Sequence, residues 1–125
     1  MNLTLTRKPS DGMSVRGTLS PLGMSTLENQ QYLIPCGTYP LEVTYSPRFK
    51  RPLPLVCDVP YAGSGLLTPP PLRGAGGLRT GIRFHPGTKP EHSRGCILIA
   101  RSDEDRLCDF ITSHAPPVTL KIING

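Results

Sequence analysis

The chain has no tryptophan, and aromatics make up only 6% of its 125 residues. It therefore has no aromatic repeat on which nucleic-acid bases would stack, and neither zinc-finger spacing nor a helix-turn-helix signal accompanies its charge. Acids are scarce as well, with nine Asp and Glu against fourteen Lys and Arg and a net charge of +5. The four cysteines, Cys36, Cys57, Cys96 and Cys108, contain no C-x-x-C pair, which argues against a structural zinc site. None of the three histidines stands at metal-ligand spacing from a second ligand, so no metal and no cofactor is implied. No apolar run is long enough to span a bilayer, so no membrane partner is implied. The first residues, Met1 to Thr6, alternate apolar and polar and lack a hydrophobic signal segment. The expectation is a protein made in the cytoplasm that acts elsewhere, such as the cell wall, only after release by another route. Reduced thiols are the default in that compartment.

What the chain does have is 13 glycines and 15 prolines set between short apolar runs. Such punctuation disfavours long helices and predicts a mainly β fold, a small barrel or sandwich of short strands with one short C-terminal helix. At this length a single domain over 1–125 is expected. Leu3 and Leu5 alternate with threonines as a first strand, and Pro9-Ser10-Asp11-Gly12 turns it towards a second over Met13 to Leu19. A turn at Pro21-Leu22-Gly23 leads to Ser25–Glu28, and Gln31 to Ile34 reads as short and extended. Leu41, Val43 and Tyr45 share one face of the next strand. Ser46 to Pro52 is a loop, and Pro52 and Pro54 push Leu53–Val59 to a sheet edge. The stretch 60–80, rich in Gly and Pro, reads as a long functional loop or flap. Gly81–His85 and Cys96–Ala100 are strands. Ser102 is the expected N-cap of a helix with Leu107, Cys108, Phe110 and Ile111 on its apolar face, and Val118–Ile123 is the last strand.

The chemistry concentrates in Gly81-Ile82-Arg83-Phe84-His85-Pro86-Gly87 and Ser93-Arg94-Gly95-Cys96-Ile97-Leu98-Ile99. A cysteine before three aliphatics is ordinarily a small core residue. Here Gly95 precedes it and frees the backbone to turn amides towards a substrate oxygen. His85 ends the preceding strand, and ten intervening residues suffice to bring the two together. An imidazole there would lower the thiol pKa. Ser93 either braces the turn or bonds His85. Arg94 and Arg83 are each a surface charge or a receptor for a substrate anion. His92, in a polar turn, is either exposed or a substrate contact. His114 follows the helix and suits its C-terminal dipole. The remaining charge, including the cluster Arg48–Arg51, reads first as solvated surface. Attraction to a polyanion such as a cell-wall polymer is the alternative.

The Ser93-Arg94-Gly95-Cys96 stretch with a strand-borne His upstream resembles the active-site signature of the L,D-transpeptidases. More closely, the chain resembles an uncharacterised family of small phage and bacterial domains related to that fold. The resemblance rests on Thr26-Leu27-Glu28, Ile34-Pro35-Cys36-Gly37-Thr38-Tyr39, Ser46-Pro47-Arg48-Phe49, Leu53-Pro54-Leu55, Val59-Pro60, Ile82-Arg83-Phe84-His85-Pro86-Gly87 and Gly95-Cys96-Ile97-Leu98. It implies Cys96 as nucleophile, His85 as base, Ser93 at the Ser/Thr position, and the amides of Gly95 and Cys96 as oxyanion donors. The implied substrate is a peptidoglycan stem peptide, in cell-wall processing or phage lysis. The chain departs from the transpeptidase pattern in a shorter His-to-Cys spacer, in Arg94 where many have a second His, and in Leu98 where a polar residue is frequent. The competing expectation is a binding or virion-associated module that keeps the fold without the chemistry.

Overall fold

Alternation at the N-terminus dictates the centre of the sheet. In the computed structural model, which describes residues 1–60, 81–93 and 95–125, β1 (Asn2–Arg7) buries Leu3, Leu5 and Arg7 on one face. Asp11 closes the turn after β1 by accepting the Ser14 N–H at 2.8 Å. β2 (Ser14–Ser20) returns antiparallel with Leu5 opposite Leu19, and β3 (Met24–Asn29) follows it as a second hairpin. β8 (Val118–Asn124) lies parallel to β1 on its other side, so the two ends of the chain pair in the middle of the sheet.

The remaining strands extend both flanks. β4 (Gly37–Ser46) joins β8, and β5 (Arg51–Val56) forms a hairpin with β4. On the other flank β7 (Ile97–Ile99) meets β3 at Leu27–Leu98, and β6 (Phe84–Pro86) runs parallel to β7. The order β5-β4-β8-β1-β2-β3-β7-β6 then curls until its two edges meet. Leu55 bridges Arg83, and the Val56 N–H donates to the Ile82 carbonyl at 2.8 Å. Pro52 and Pro54, which alternate with Val56, have no N–H to offer, so the seam closes over one short stretch. The architecture is thus a mainly β, nearly closed eight-stranded barrel with one short helix, α1 (Glu104–Ser113), and β5 lies at the edge as its prolines require.

Leu3, Leu5, Leu19, Met24, Phe84, Ile97, Ile99 and Leu120 fill the interior. Leu107 and Ile111 of α1 join that core, and Cys108 and Phe110 are partly buried beside them. No helix among the described residues is long and apolar enough to cross a membrane.

Several local expectations are corrected. Gln30–Tyr32 is a single 3-10 turn, because the Asn29 side chain takes the Gln31 N–H at 2.9 Å and draws the backbone out of extension. Tyr45 is 60% exposed while Ser46 is 2% exposed, so the alternation in β4 breaks at its end. There the Ser46 hydroxyl turns inward to accept the Phe49 N–H at 3.3 Å. Ser102 does not cap α1. It lies in a 3-10 turn, Arg101–Asp103, and the helix begins at Glu104, whose buried carboxylate is held by Arg51. β6 begins only at Phe84, after Arg83 with its single bridge to Leu55, and runs through Pro86, while β7 leaves Cys96 and Ala100 outside its ladder. The long-loop expectation at 60–80 falls, from 61 onward, outside the described residues.

One buried ion pair ties the central strands. Arg7 holds Glu28 in a bidentate pair, Nε to Oε1 at 2.9 Å and Nη2 to Oε2 at 2.8 Å. Gly17 lies opposite Arg7 on one side and Thr26 on the other, and a Cβ there would meet Leu5 Cδ1 and Thr26 Oγ1 at 2.8 Å. Removing one partner strands a desolvated charge. Glu28→Ala is expected to lower unfolding stability by about 3–5 kcal/mol in urea denaturation, with the slope against urea unchanged.

Candidate functional site

The β6–β7 ladder decides which side chains meet. Phe84 pairs with Ile97, and His85 with Leu98. Phe84, Ile97 and Ile99 point into the core. Alternation therefore places His85 and Arg83 of one segment, and Leu98 and Cys96 of the other, on the opposite face. Cys96 is level with Arg83 and one diagonal step from His85. Both expected reactive residues line one cavity of about 600 Å³, whose walls include Arg48, Phe49, Gly81, Ile82, Pro86, Glu91 and His92. Among the described residues, Cys96 is the thiol that shares a cavity with histidines.

His85 is 3% exposed. Its Nδ1 lies 2.9 Å from the Pro86 carbonyl, which can only accept, so Nδ1 carries the proton and Nε2 the lone pair. That Nε2 is buried and has no hydrogen-bond partner among the described residues. Leaving a buried acceptor unmet costs about 1–3 kcal/mol, and such atoms in native structures call for a reason. The Phe49 ring packs on the imidazole with centroids 4.8 Å apart. Burial is the main cause that holds the His85 pKa below its ordinary value. The Pro86 carbonyl opposes it, and Arg48 adds to the lowering.

Cys96 is half-buried. Its Sγ accepts the Arg83 N–H at 3.4 Å and donates to the Gly81 carbonyl at 3.6 Å. Burial pushes the thiol pKa up, against the Arg83 N–H and the charges of Arg48 and Arg83. The expectation that the imidazole lowers this pKa is corrected. A neutral imidazole brings no charge, and the cations acting on the sulfur are arginines. At rest the pair is neutral thiol and neutral imidazole.

Ser93 braces the turn before Cys96. Its hydroxyl accepts the Gly95 N–H at 3.2 Å and donates to the Cys96 carbonyl at 2.5 Å, while Asn29 Nδ2 holds the Ser93 carbonyl at 3.2 Å. Gly95 has φ +112°, where a side chain would be strained. Its amide is therefore committed to Ser93, which corrects the expectation that it serves an oxyanion and leaves the amide of Cys96 for that role.

Arg83 is also reassigned. Its guanidinium donates to the carbonyls of Thr44 and Leu53 at 2.9 Å and of Tyr45 at 3.0 Å, so it clamps the β4–β5 hairpin and is not free for a substrate anion. Arg94 lies outside the described residues. His92 does line the cavity. Its Nδ1 accepts the N–H groups of Thr88 at 3.2 Å and Lys89 at 3.4 Å, which puts its proton on Nε2. His114 caps α1, with Nδ1 2.6 Å from the Phe110 carbonyl.

The other thiols have different settings. All four cysteines are free. Burial and the neighbouring Glu104 and Asp105 push Cys108 up to about 11, and Cys36 sits beside Arg7 with its Sγ 3.9 Å from Nη1. Sequence reasoning missed Arg48 and Phe49 as site residues. The available signal was an aromatic set among cations in a loop between two strands, read there only as a surface cluster.

Compared with protein-family models, curated proteins and solved structures, the chain finds no match.

If Arg83 is the clamp, replacing it removes three charge-assisted bonds at the seam. Arg83→Met is expected to cost about 2–3 kcal/mol in urea denaturation, and hydrogen exchange should quicken first in β5 and β6.

Proposed function

We propose that the chain is a cysteine-dependent acyl-transfer enzyme, of the peptidase or L,D-transpeptidase type, acting on peptidoglycan stem peptides. The observation that carries this reading is that His85 of β6 and Cys96, the residue just before β7, line one cavity, with the buried Nε2 lone pair unmet among the described residues. An unpaired acceptor in the same cavity as a thiol is suited to take that thiol's proton once the Sγ leaves its contact with the Gly81 carbonyl.

In this reading Cys96 Sγ attacks the substrate carbonyl as its proton passes to His85 Nε2. The C=O electrons move onto oxygen, which the Cys96 N–H receives, with His92 Nε2–H as a second donor in the same cavity. The tetrahedral intermediate collapses, His85 returns the proton to the leaving amine, and a Cys96 thioester remains. Water gives hydrolysis and a second amine gives transpeptidation, each activated by the now neutral His85. The reading also fits a role in cell-wall processing or phage lysis, exercised at the wall after release.

The expected pH profile follows from the neutral resting pair. His85, held below its ordinary 6.5, keeps its lone pair into mildly acidic solution. Cys96, raised above its ordinary 9.0, keeps its proton into alkaline solution. The kcat/KM profile should therefore be broad, with its acid limb below 6.5 and its alkaline limb above 9.0.

The decisive measurement is intact-protein mass spectrometry during incubation with peptidoglycan fragments. A mass increase on Cys96 equal to the acyl fragment is expected. It should be absent in Cys96→Ala and reduced about 100-fold or more in rate in His85→Ala. If no adduct and no processed fragment form with the unmodified protein, the acyl-transfer reading falls.

A second reading, a binding or virion-associated module without chemistry, has one observation in its favour. The thiol is held between the Arg83 N–H and the Gly81 carbonyl, as a structural cysteine would be. The same experiment separates the two readings, since a structural thiol forms no thioester.

A further inference from the structure

The tip of the β4–β5 hairpin is built to hold one side chain over the cavity. Lys50 adopts φ +55°, and its N–H donates to the Ser46 carbonyl at 2.7 Å. Arg51 is spent on Glu104 through two contacts of 2.8 Å and also reaches the Phe49 carbonyl at 3.4 Å. Phe49 is pinned against His85. Arg48 lies over the Phe49 ring at 5.3 Å and lines the cavity.

Three other described arginines are already committed. Arg51 and Arg101 serve Glu104, and Arg83 serves three carbonyls. Arg48 makes no ion pair among the described residues. Glu91 lines the same cavity, yet Arg48 is the side chain whose charge reaches both Cys96 and His85. A guanidinium left free on a braced tip, within electrostatic reach of a thiol and an imidazole, matches a planar anion presented next to the reacting carbon.

We propose that Arg48 is the specificity-determining residue of this cavity and receives a carboxylate of the acyl donor beside the carbonyl that Cys96 attacks. The substrate role rests on the acyl-transfer reading, whereas the anion site itself does not. The preferred substrate class is then a peptide with a free carboxylate next to the bond that is transferred, and neutral amides of the same peptide are poor substrates.

Two thiol reagents of similar size, one charged and one neutral, test this without any turnover. Iodoacetate is anionic and iodoacetamide neutral. In the unmodified protein the iodoacetate-to-iodoacetamide rate ratio at Cys96, read by peptide mass spectrometry, should exceed that in Arg48→Gln about fivefold. Exposed Cys36 serves as the internal reference and should show the same ratio in both proteins. The gain should shrink at high salt, where an exposed charge is screened. An unchanged ratio at Cys96 overturns the proposal.

A second arm uses Cys96→Ala and follows the ring resonances of His85 and His92 during titration with N-acetyl-D-alanine or its amide. The acid should bind at least about tenfold more tightly than the amide, and Arg48→Gln should erase that difference. Equal binding of the two, or binding of neither, overturns the proposal. If Cys96 resists both reagents, the titration alone decides. Charge selectivity without any thioester would retain the anion site and refute acyl transfer, so the two failures are distinguishable.

Discussion

The architecture depends on how the last two edges of the sheet are joined. Three short segments meet there with few backbone bonds available, since Pro52 and Pro54 contribute none on that side. Arg83 makes up the deficit. Its backbone carbonyl takes the Ile97 N–H at 2.9 Å, its N–H reaches Cys96 Sγ, and its guanidinium gathers carbonyls from β4 and β5. Together with the Val56–Ile82 bond, this one residue joins the edges of the nearly closed barrel and holds the thiol through its N–H. A cavity placed on such a seam is held by the same bonds that complete the fold, which is how a short chain fixes a thiol and an imidazole with little surrounding scaffold.

Charge is handled in two ways. Glu28 and Glu104, both buried, are each met by a bidentate arginine, Arg7 in the central strands and Arg51 against the helix. Within the cavity, burial favours the neutral forms of the Cys96 thiol and the His85 imidazole. A pre-formed thiolate–imidazolium pair would bear the cost of burial on both groups, and Arg48, which favours the thiolate, disfavours the imidazolium. In the proposed acyl-transfer reading, the neutral pair defers charge separation until a substrate carbonyl takes the sulfur's electrons.

Much of the fold was legible from residue order. Leu3 and Leu5, the Pro9–Gly12 turn, the paired prolines of β5 and the apolar positions of α1 all lie where alternation and punctuation place them, because these signals are local. Tyr45, Ser102 and Gln31 were misread where a side chain took over a backbone group or an ion pair moved an element's start. The Ser46 hydroxyl, the Arg51–Glu104 pair and the Asn29 cap are the three causes. The last two depend on neighbours that a periodicity argument does not weigh, one of them distant in the chain.

The site divides the same way. His85, Cys96, Ser93 and Gly95 are conspicuous by type and spacing, since a glycine before a cysteine and a histidine at a strand end are visible without coordinates. Their roles are not. Arg83 looks like an anion receptor until its guanidinium is seen among carbonyls, and Gly95 looks like an oxyanion donor until its amide is found on Ser93. Arg48 and Phe49 look like surface until the hairpin brings them against His85. By itself, the order of residues determined the strands, the turns and the identity of the paired thiol and imidazole, because those follow from local periodicity and chemistry. Only the nearly closed barrel decided which hydrogen bonds and charges each of these groups has left to use, because their donors are shared out among partners that folding brings together.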